Sequence, residues 1–236
     1  MPRQQPEDGR AMKEFDRVAL TEALTDGANA LHLDLSQTQV ACLIDYLALL
    51  SKWNAVYNLT AVRDPAHMVS QHLLDSLAVV TAFAGARNVL DVGAGGGLPG
   101  MVLAIWAAET NPGMRISMID TVHKKTAFLT QAKVELGLAN VNVHTARVEQ
   151  LQGSHKFDVI TSRAFADLSD FVSWSGHLLA EGGRFIAMKG VAPHDEIKRL
   201  PSAWKVTELR PVTVPGMDAE RHLVFIERSA TSAKDD

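Results

Sequence analysis

Asp91-Val92-Gly93-Ala94-Gly95-Gly96-Gly97-Leu98-Pro99-Gly100 is the stretch on which the fold turns. It follows a short apolar run, residues 89–92, that reads as a buried strand, and it opens a helical stretch at 101–109. The glycines between them let the backbone turn sharply and approach a ligand closely. Gly95, Gly97 and Gly100 satisfy the G-x-G-x-x-G spacing of dinucleotide sites, and Asp120 lies where a ribose-binding acid is expected.

Two details favour S-adenosyl-L-methionine over a dinucleotide. Asp91 sets a carboxylate just before the loop, which suits a ligand with an ammonium and a sulfonium better than a pyrophosphate. Leu98 and Pro99 stand at the helix start, where a dinucleotide fold aims free N–H groups at phosphate, and proline has none. The competing reading is a turn that binds nothing; against it, clustered glycines cost conformational entropy without an evident packing return.

Outward from the loop, short β-branched or apolar runs alternate with helical stretches, the pattern of βαβ units on a parallel sheet. Strands are predicted at 89–92, 116–119, 141–145, 159–162 and 184–188, with helices at 101–109, 123–137 and 168–180. A helix near 193–200 and two strands at 204–209 and 222–227 follow. These last two lie too close for a crossover and should pair antiparallel. Upstream the pattern is helical: an amphipathic stretch at 15–30, a helix to about Trp53 with Ser36 as N-cap, and a third from Pro65 to Phe83. The predicted organisation is a helical extension over 1–85, disordered at 1–12, an α/β domain over 86–228, and a flexible tail over 229–236.

The chain carries 23 Lys and Arg against 27 Asp and Glu, a net charge of −4, with 47% hydrophobic residues. That is the balance of a soluble globular protein. Residues 1–85 hold six basic and ten acidic side chains, while 86–236 hold seventeen of each. An anionic partner therefore has to be met by a local basic face. A single cysteine, Cys42, excludes an internal disulfide framework, and the histidines lack zinc-ligand spacing. Residues 1–35 do not read as a signal peptide and no run approaches the roughly 20 apolar residues of a membrane span, so the expected location is cytoplasmic, with no membrane contact.

Asp120 closes the second strand, where it can accept both ribose hydroxyls or cap the following helix. Glu149 follows the third strand in the crevice where an adenine would lie, or is a solvated carboxylate. Arg163, at the end of the fourth strand, can meet a cofactor or an RNA phosphate, or pair with a neighbouring carboxylate. Lys124, Lys125, Lys189 and Arg199 are the RNA-binding candidates, with Lys198, Lys205, Arg210 and Arg221 as further members of a basic face; scattered solvated cations are the alternative. Trp53, Asn58 and His72 read as packing of the extension onto the sheet.

At this point the residues resemble a family, the 16S ribosomal RNA guanine-N7 methyltransferases called RsmG or glucose-inhibited division protein B. The resemblance spans about 53–190. It rests on Lys52-Trp53-Asn54, Asn58-Leu59-Thr60-Ala61, His72-Leu73-Leu74-Asp75-Ser76-Leu77 and the glycine loop. It continues through Asp120, Lys124-Lys125, Val148-Glu149, Ser162-Arg163-Ala164-Phe165-Ala166 and Met188-Lys189-Gly190. The resemblance implies a Rossmann-like methyltransferase sheet with helices on both faces, an antiparallel C-terminal strand pair and an N-terminal helical extension. It also implies S-adenosylmethionine held by Gly93, Leu98, Val148, Glu149 and Arg163, to which the reading of the loop and second strand adds Gly95 and Asp120, and 16S rRNA or the small ribosomal subunit as partner; the expected state of the chain is a monomer. Ala94, Gly96 and Thr121 depart from the family's usual residues; one lost hydroxyl weakens cofactor affinity by about 0.5 to 1.5 kcal/mol.

Guanine N7 carries a lone pair and no proton, so methyl transfer to it needs no general base, and alignment can supply roughly 7 to 11 kcal/mol. No Cys/His or Ser/His/Asp constellation is recognisable in the chain, and no catalytic residue is expected. An arginine fork on O6 and N7 would block the attacking atom, so the base should be read on its Watson–Crick edge by an acidic or backbone acceptor. The alternatives are a methyltransferase for another substrate, a nicotinamide oxidoreductase, and an RNA- or ribosome-binding protein without activity.

Overall fold

The computed structural model describes residues 15–153, 156–163 and 167–229. The expectations for residues 1–12 and for the tail beyond Ser229 lie outside them. The chain begins with α1, Arg17–Ala30, capped by Asp16, and α2, Gln37–Tyr57, whose N-terminus is closed by a reciprocal Ser36–Gln39 capping box. The third predicted helix is not continuous. It starts as α3, Pro65–Met68, widens into a π-helical stretch, Val69–Leu74, and resumes as α4, Asp75–Leu77, before a 3-10 turn at Val80–Phe83. The π turn lets the Gln71 carbonyl accept from Arg163 Nη1 at 3.0 Å, which favours the wider winding at this point.

The strands β1 Asn88–Val92, β2 Arg115–Asp120, β3 Val141–Thr145, β4 Phe157–Arg163, β5 Leu179–Lys189, β6 Trp204–Pro211 and β7 His222–Arg228 form one sheet in the order β3-β2-β1-β4-β5-β7-β6. The first five are parallel, and β7 runs antiparallel to β5 and β6. Between strands lie α5, Gly100–Thr110, α6, His123–Glu135, α7, Leu168–Ser175, and the short α8, His194–Lys198. The helix expected over 168–180 stops at Ser175, because Leu179 is taken into the sheet opposite Phe157. Sheet pairing outweighs helical periodicity there.

Alternating residues of each strand serve two cores. Val89, Ile116, Met118 and Val141 join Met101, Val102 and Leu103 of α5 and Phe128 and Leu129 of α6 on one face. Leu90, Val92, Ile119 and Ile160 join Leu168, Phe171 and Val172 of α7 on the other. On the α5 face, beyond the reach of α5 and α6, Val159, Ile186 and Phe225 cluster with Leu73, Leu77, Val80 and Phe83 from the N-terminal helices. Burying a side chain of this size is worth about 1.5 to 3 kcal/mol, so the helical segment closes a sheet face that would otherwise be wet.

Candidate functional site

The glycine loop is held from three sides. Gly93, Gly95 and Gly97 have φ of 68°, 56° and 89°, the left-handed region that favours glycine. A Cβ on Gly97 would lie 2.5 Å from Met101 Cγ and 2.8 Å from Leu129 Cδ2, and one on Gly100 would lie 2.7 Å from Met118. These glycines therefore do have a packing return, which corrects the sequence expectation. From α2, the buried Tyr46 hydroxyl donates to the Gly96 carbonyl, and Leu50 packs on Gly96; burial pushes the Tyr46 phenol far up, so it stays a donor.

Asp91 does not face an open cleft, as the charge argument from sequence required. It is fully buried beneath the loop, and its Oδ2 accepts the Gly100 N–H at 2.9 Å. Its Oδ1 has no partner among the described residues, and burial pushes the carboxyl up to about 7 against the pull of that N–H and of Arg163. Most of the loop's other N–H groups are engaged as well. Gly93 and Ala94 N–H both donate to the Ile119 carbonyl, Gly97 and Leu98 to Ala94, Met101 to Gly97, and Gly95 to Asp120 Oδ2. A pyrophosphate needs such donors free, so the geometry opposes the nicotinamide reading.

Beside the loop, at the carboxyl ends of β1, β2 and β3, a cleft of about 320 Å³ gathers Gly93, Asp120, Val148 and Glu149 with Ile119, Lys125 and Trp174. Asp120 is buried at its wall. Its Oδ1 accepts the Val122 N–H at 2.9 Å and its Oδ2 the Gly95 N–H at 3.0 Å, with Lys125 Nζ at 3.7 Å. It thus ties the loop to the turn before α6, whose N-cap position is Val122. The wall fits an adenosyl group: a carboxylate for hydroxyls, apolar Ile119 and Val148 for a ring, and bare glycine backbone at Gly93. Leu98 is buried outside this cleft, and Gly95 reaches it through Asp120.

A second cavity of about 380 Å³ lies at the ends of β4 and β5, β4 being the neighbour of β1 in the sheet, and is lined by Gln71, His72, Asp75, Arg163, Met188, Lys189, Gly190 and Arg221. Its centre is Asp75, which the sequence reading carried only as part of a family motif. Asp75 is 2% exposed, with Arg163 Nη1 at 3.0 Å on Oδ2 and Arg221 Nε at 2.7 Å on Oδ1. Arg163 thus takes the ion-pair alternative, and Asp75 has no oxygen left without a cation. His72 is buried; burial, then the Arg163 charge, holds its imidazole down at about 4. Its Nε2 lies 2.8 Å from Thr60 Oγ1, while Asn54 bridges Thr60 N–H and the Val62 carbonyl.

The other basic candidates differ in their partners. Lys125 leans over Asp120, Lys189 lies 2.7 Å from Glu196, Arg199 lies 2.6 Å from Asp167, and Lys124 is exposed at the start of α6. Residues 164–166 of the Arg163 motif lie outside the described residues. Among the described residues no helix is long and apolar enough to cross a membrane.

The family described as rRNA small subunit methyltransferase G matches residues 39–224. The chain belongs to this family. It is 73% identical over 217 residues to the ribosomal RNA small subunit methyltransferase G of Herminiimonas arsenicoxydans, covering 92% of this chain and 100% of that one. It is 71% identical to the protein of the same name from Janthinobacterium sp. (strain Marseille), covering 92% and 99%. Two solved structures share the fold. One is the N-methyltransferase NodS of Bradyrhizobium japonicum WM9 in complex with S-adenosyl-L-homocysteine, at TM-score 0.51 and 14% identity over 76% of this chain and 100% of that one. The other is the 1,6-didemethyltoxoflavin-N1-methyltransferase of Burkholderia thailandensis, at 0.53 and 16% over 79% and 90%.

Proposed function

We propose that the two cavities divide one reaction, methyl transfer to N7 of a guanine in 16S rRNA of the small ribosomal subunit. The first cleft is the S-adenosylmethionine site and the Arg163 cavity receives the base. The observation that carries this is their placement at the carboxyl ends of neighbouring strands, β1 and β4. Gly93 lines one cavity and Arg163 the other, and Ser162 Oγ donates to the Val92 carbonyl at 2.9 Å, locking the ends of β1 and β4 together.

Gly93, Asp120, Val148 and Glu149 hold the cofactor, with Gly95 and Leu98 acting from beneath through the loop. S-adenosylmethionine, when bound, supplies the methyl group on an electrophilic sulfonium. The chain's own residues position and do not deprotonate: Asp75 is held by two arginines and His72 is neutral with both ring nitrogens engaged. That suits an acceptor atom which has no proton to lose. Lys189, at the cavity rim, and Lys124, beside the cleft, are the phosphate contacts of this reading, while Lys125 and Arg199 steer the strand from their carboxylate partners. The enzyme works as a cytoplasmic monomer on rRNA.

The test is incubation with methyl-labelled S-adenosylmethionine and small subunits lacking the modification, followed by nucleoside mass spectrometry. Label in 7-methylguanosine at one position is expected. Bound cofactor without transfer to these subunits overturns the acceptor assignment, and so does transfer to an N7-deaza guanine substrate.

A further inference from the structure

A right-handed crossover from β3 back over β2 and β1 to β4 has to pass on the α7 side of the sheet. The other parallel crossovers carry α5, α6 and α7, but the described part of this one carries a single 3-10 turn, Val148–Gln150. The described turn covers the sheet beneath only in part, leaving Asn142 exposed and His144 half-buried while Ser117 is buried, and the strands are written accordingly. Parallel strands covered on both faces are apolar throughout, whereas β2 alternates Arg115 and Ser117 with Ile116 and Met118, and β3 alternates Asn142 and His144 with Val141 and Val143. Ser117 and Asn142 stand in register as neighbours.

The outcome is a concavity of about 670 Å³, larger than either cavity of the catalytic region. Arg115, Lys133 and Lys156 stand around it, and no carboxylate is among its described lining residues. None of the three is in an ion pair among the described residues; Lys156 donates to the His177 carbonyl at 2.7 Å. This contrasts with Lys125, Lys189, Arg163, Arg199 and Arg221, each of which faces a carboxylate. Between the cations lie Asn88, Asn142 and His144, side chains that hydrogen-bond or stack with an unstacked base. A hollow of this size accommodates a nucleotide.

We infer that this concavity is a second RNA-docking site, which grips the phosphate backbone and one unpaired nucleotide of the substrate strand away from the methylated guanine. The inference rests on the rRNA-methyltransferase reading, and it places the local basic face on the side of the sheet that carries α7. Cationic and concave, with apolar side chains at Val143, Leu151, Phe157 and Leu178 for a base to pack on, the surface suits a nucleic acid strand.

The test uses the full chain with Arg115→Ala, Lys156→Ala and the double variant, measuring affinity for protein-free small-subunit rRNA across salt concentrations. Each lost phosphate contact should lower the slope of log affinity against log salt by about 0.7 for a single strand, and the double variant by about 1.4. Arg115→Lys should keep the slope. KM for subunits should rise while kcat and S-adenosylmethionine affinity hold. As a readout independent of any variant's folding, Lys133 and Lys156 of the unaltered protein should be protected from amine acetylation when RNA is bound. Unchanged slopes with unchanged lysine reactivity overturn the proposal. If the unaltered protein methylates subunits normally while the slopes stay put, the docking site alone fails; if slopes shift and no methyl is transferred, the acceptor reading fails and the docking site stands.

Discussion

Asp75→Asn keeps the shape of the side chain and removes the one negative charge between Arg163 and Arg221. Stripping a partner from a fully buried ion pair costs about 3 to 5 kcal/mol. The two arginine side chains keep 22% and 27% of their exposure, so water recovers part of that, and about 2 to 4 kcal/mol is expected. For a chain of this length each kcal/mol lowers Tm by roughly 2 to 4 °C, so the melt should shift down by roughly 4 to 16 °C. The assay is calorimetry or circular dichroism at pH 7, repeated in high salt, where a screened surface pair would lose its effect and this one should not. Adding Arg221→Gln to Asp75→Asn should cost less than the two single effects together, because the second change removes one of the stranded charges. A melt within about 2 °C of the parent would refute the reasoning: the arginines would then be solvated on their own account, and Asp75 would not organise the cavity.

The ionisation of two buried groups should oppose each other. His72 is lowered from 6.5 to about 4, so its contribution to stability is present above about 6.5 and is lost as pH falls toward 4. Asp91 is raised from 3.8 to about 7, so its contribution is present below 3.8 and is lost as pH rises through 7. Asp91→Asn should therefore make cofactor-free stability climb more steeply between pH 4 and 6.5, read from urea midpoints; an unchanged profile would contradict the burial account. Gly97→Ala meets both a φ of 89° and contacts under 3 Å, and should lower stability by more than about 1 kcal/mol and abolish S-adenosylmethionine binding in titration calorimetry. Tyr46→Phe leaves the Gly96 carbonyl without its phenol donor, and should cost about 1 to 3 kcal/mol in a urea melt with a parallel loss of cofactor affinity.

The parallel sheet was legible because residues 89–92, 116–119, 141–145 and 159–162 are short apolar or β-branched runs that end at Gly93, Asp120, Ala146 and Arg163, the positions that line the cleft or its neighbour. The capping signals at Ser36 and Pro65 were equally local and held. Partners distant in sequence were not legible. Asp75 and Arg221 lie 146 residues apart, and nothing within the helical motif around Asp75 says which cations it meets. The direction of Asp91 is hidden for a similar reason: its sequence neighbours form the loop, and its inward placement shows only in the Gly100 N–H that it accepts nine residues on. The π-helical stretch also depends on Arg163, more than ninety residues downstream of Gln71, and no periodicity within 65–83 encodes it. The polar residues on one face of β2 and β3, by contrast, are written in their own alternation.

The last strand to be synthesised is not the last in the sheet. β7 inserts between β5 and β6, so until it arrives those two have open edges, and Asp75 lacks the arginine that precedes β7. Translation order therefore runs against assembly order: the half of the molecule around the glycine loop can condense early, while the Arg163 cavity, the proposed seat of the base, is finished by a late-made segment. A newly made chain should thus acquire its ability to recognise a substrate after its ability to hold a cofactor. In the interval the exposed edges of β5 and β6 make this step the one most open to misassociation between nascent copies.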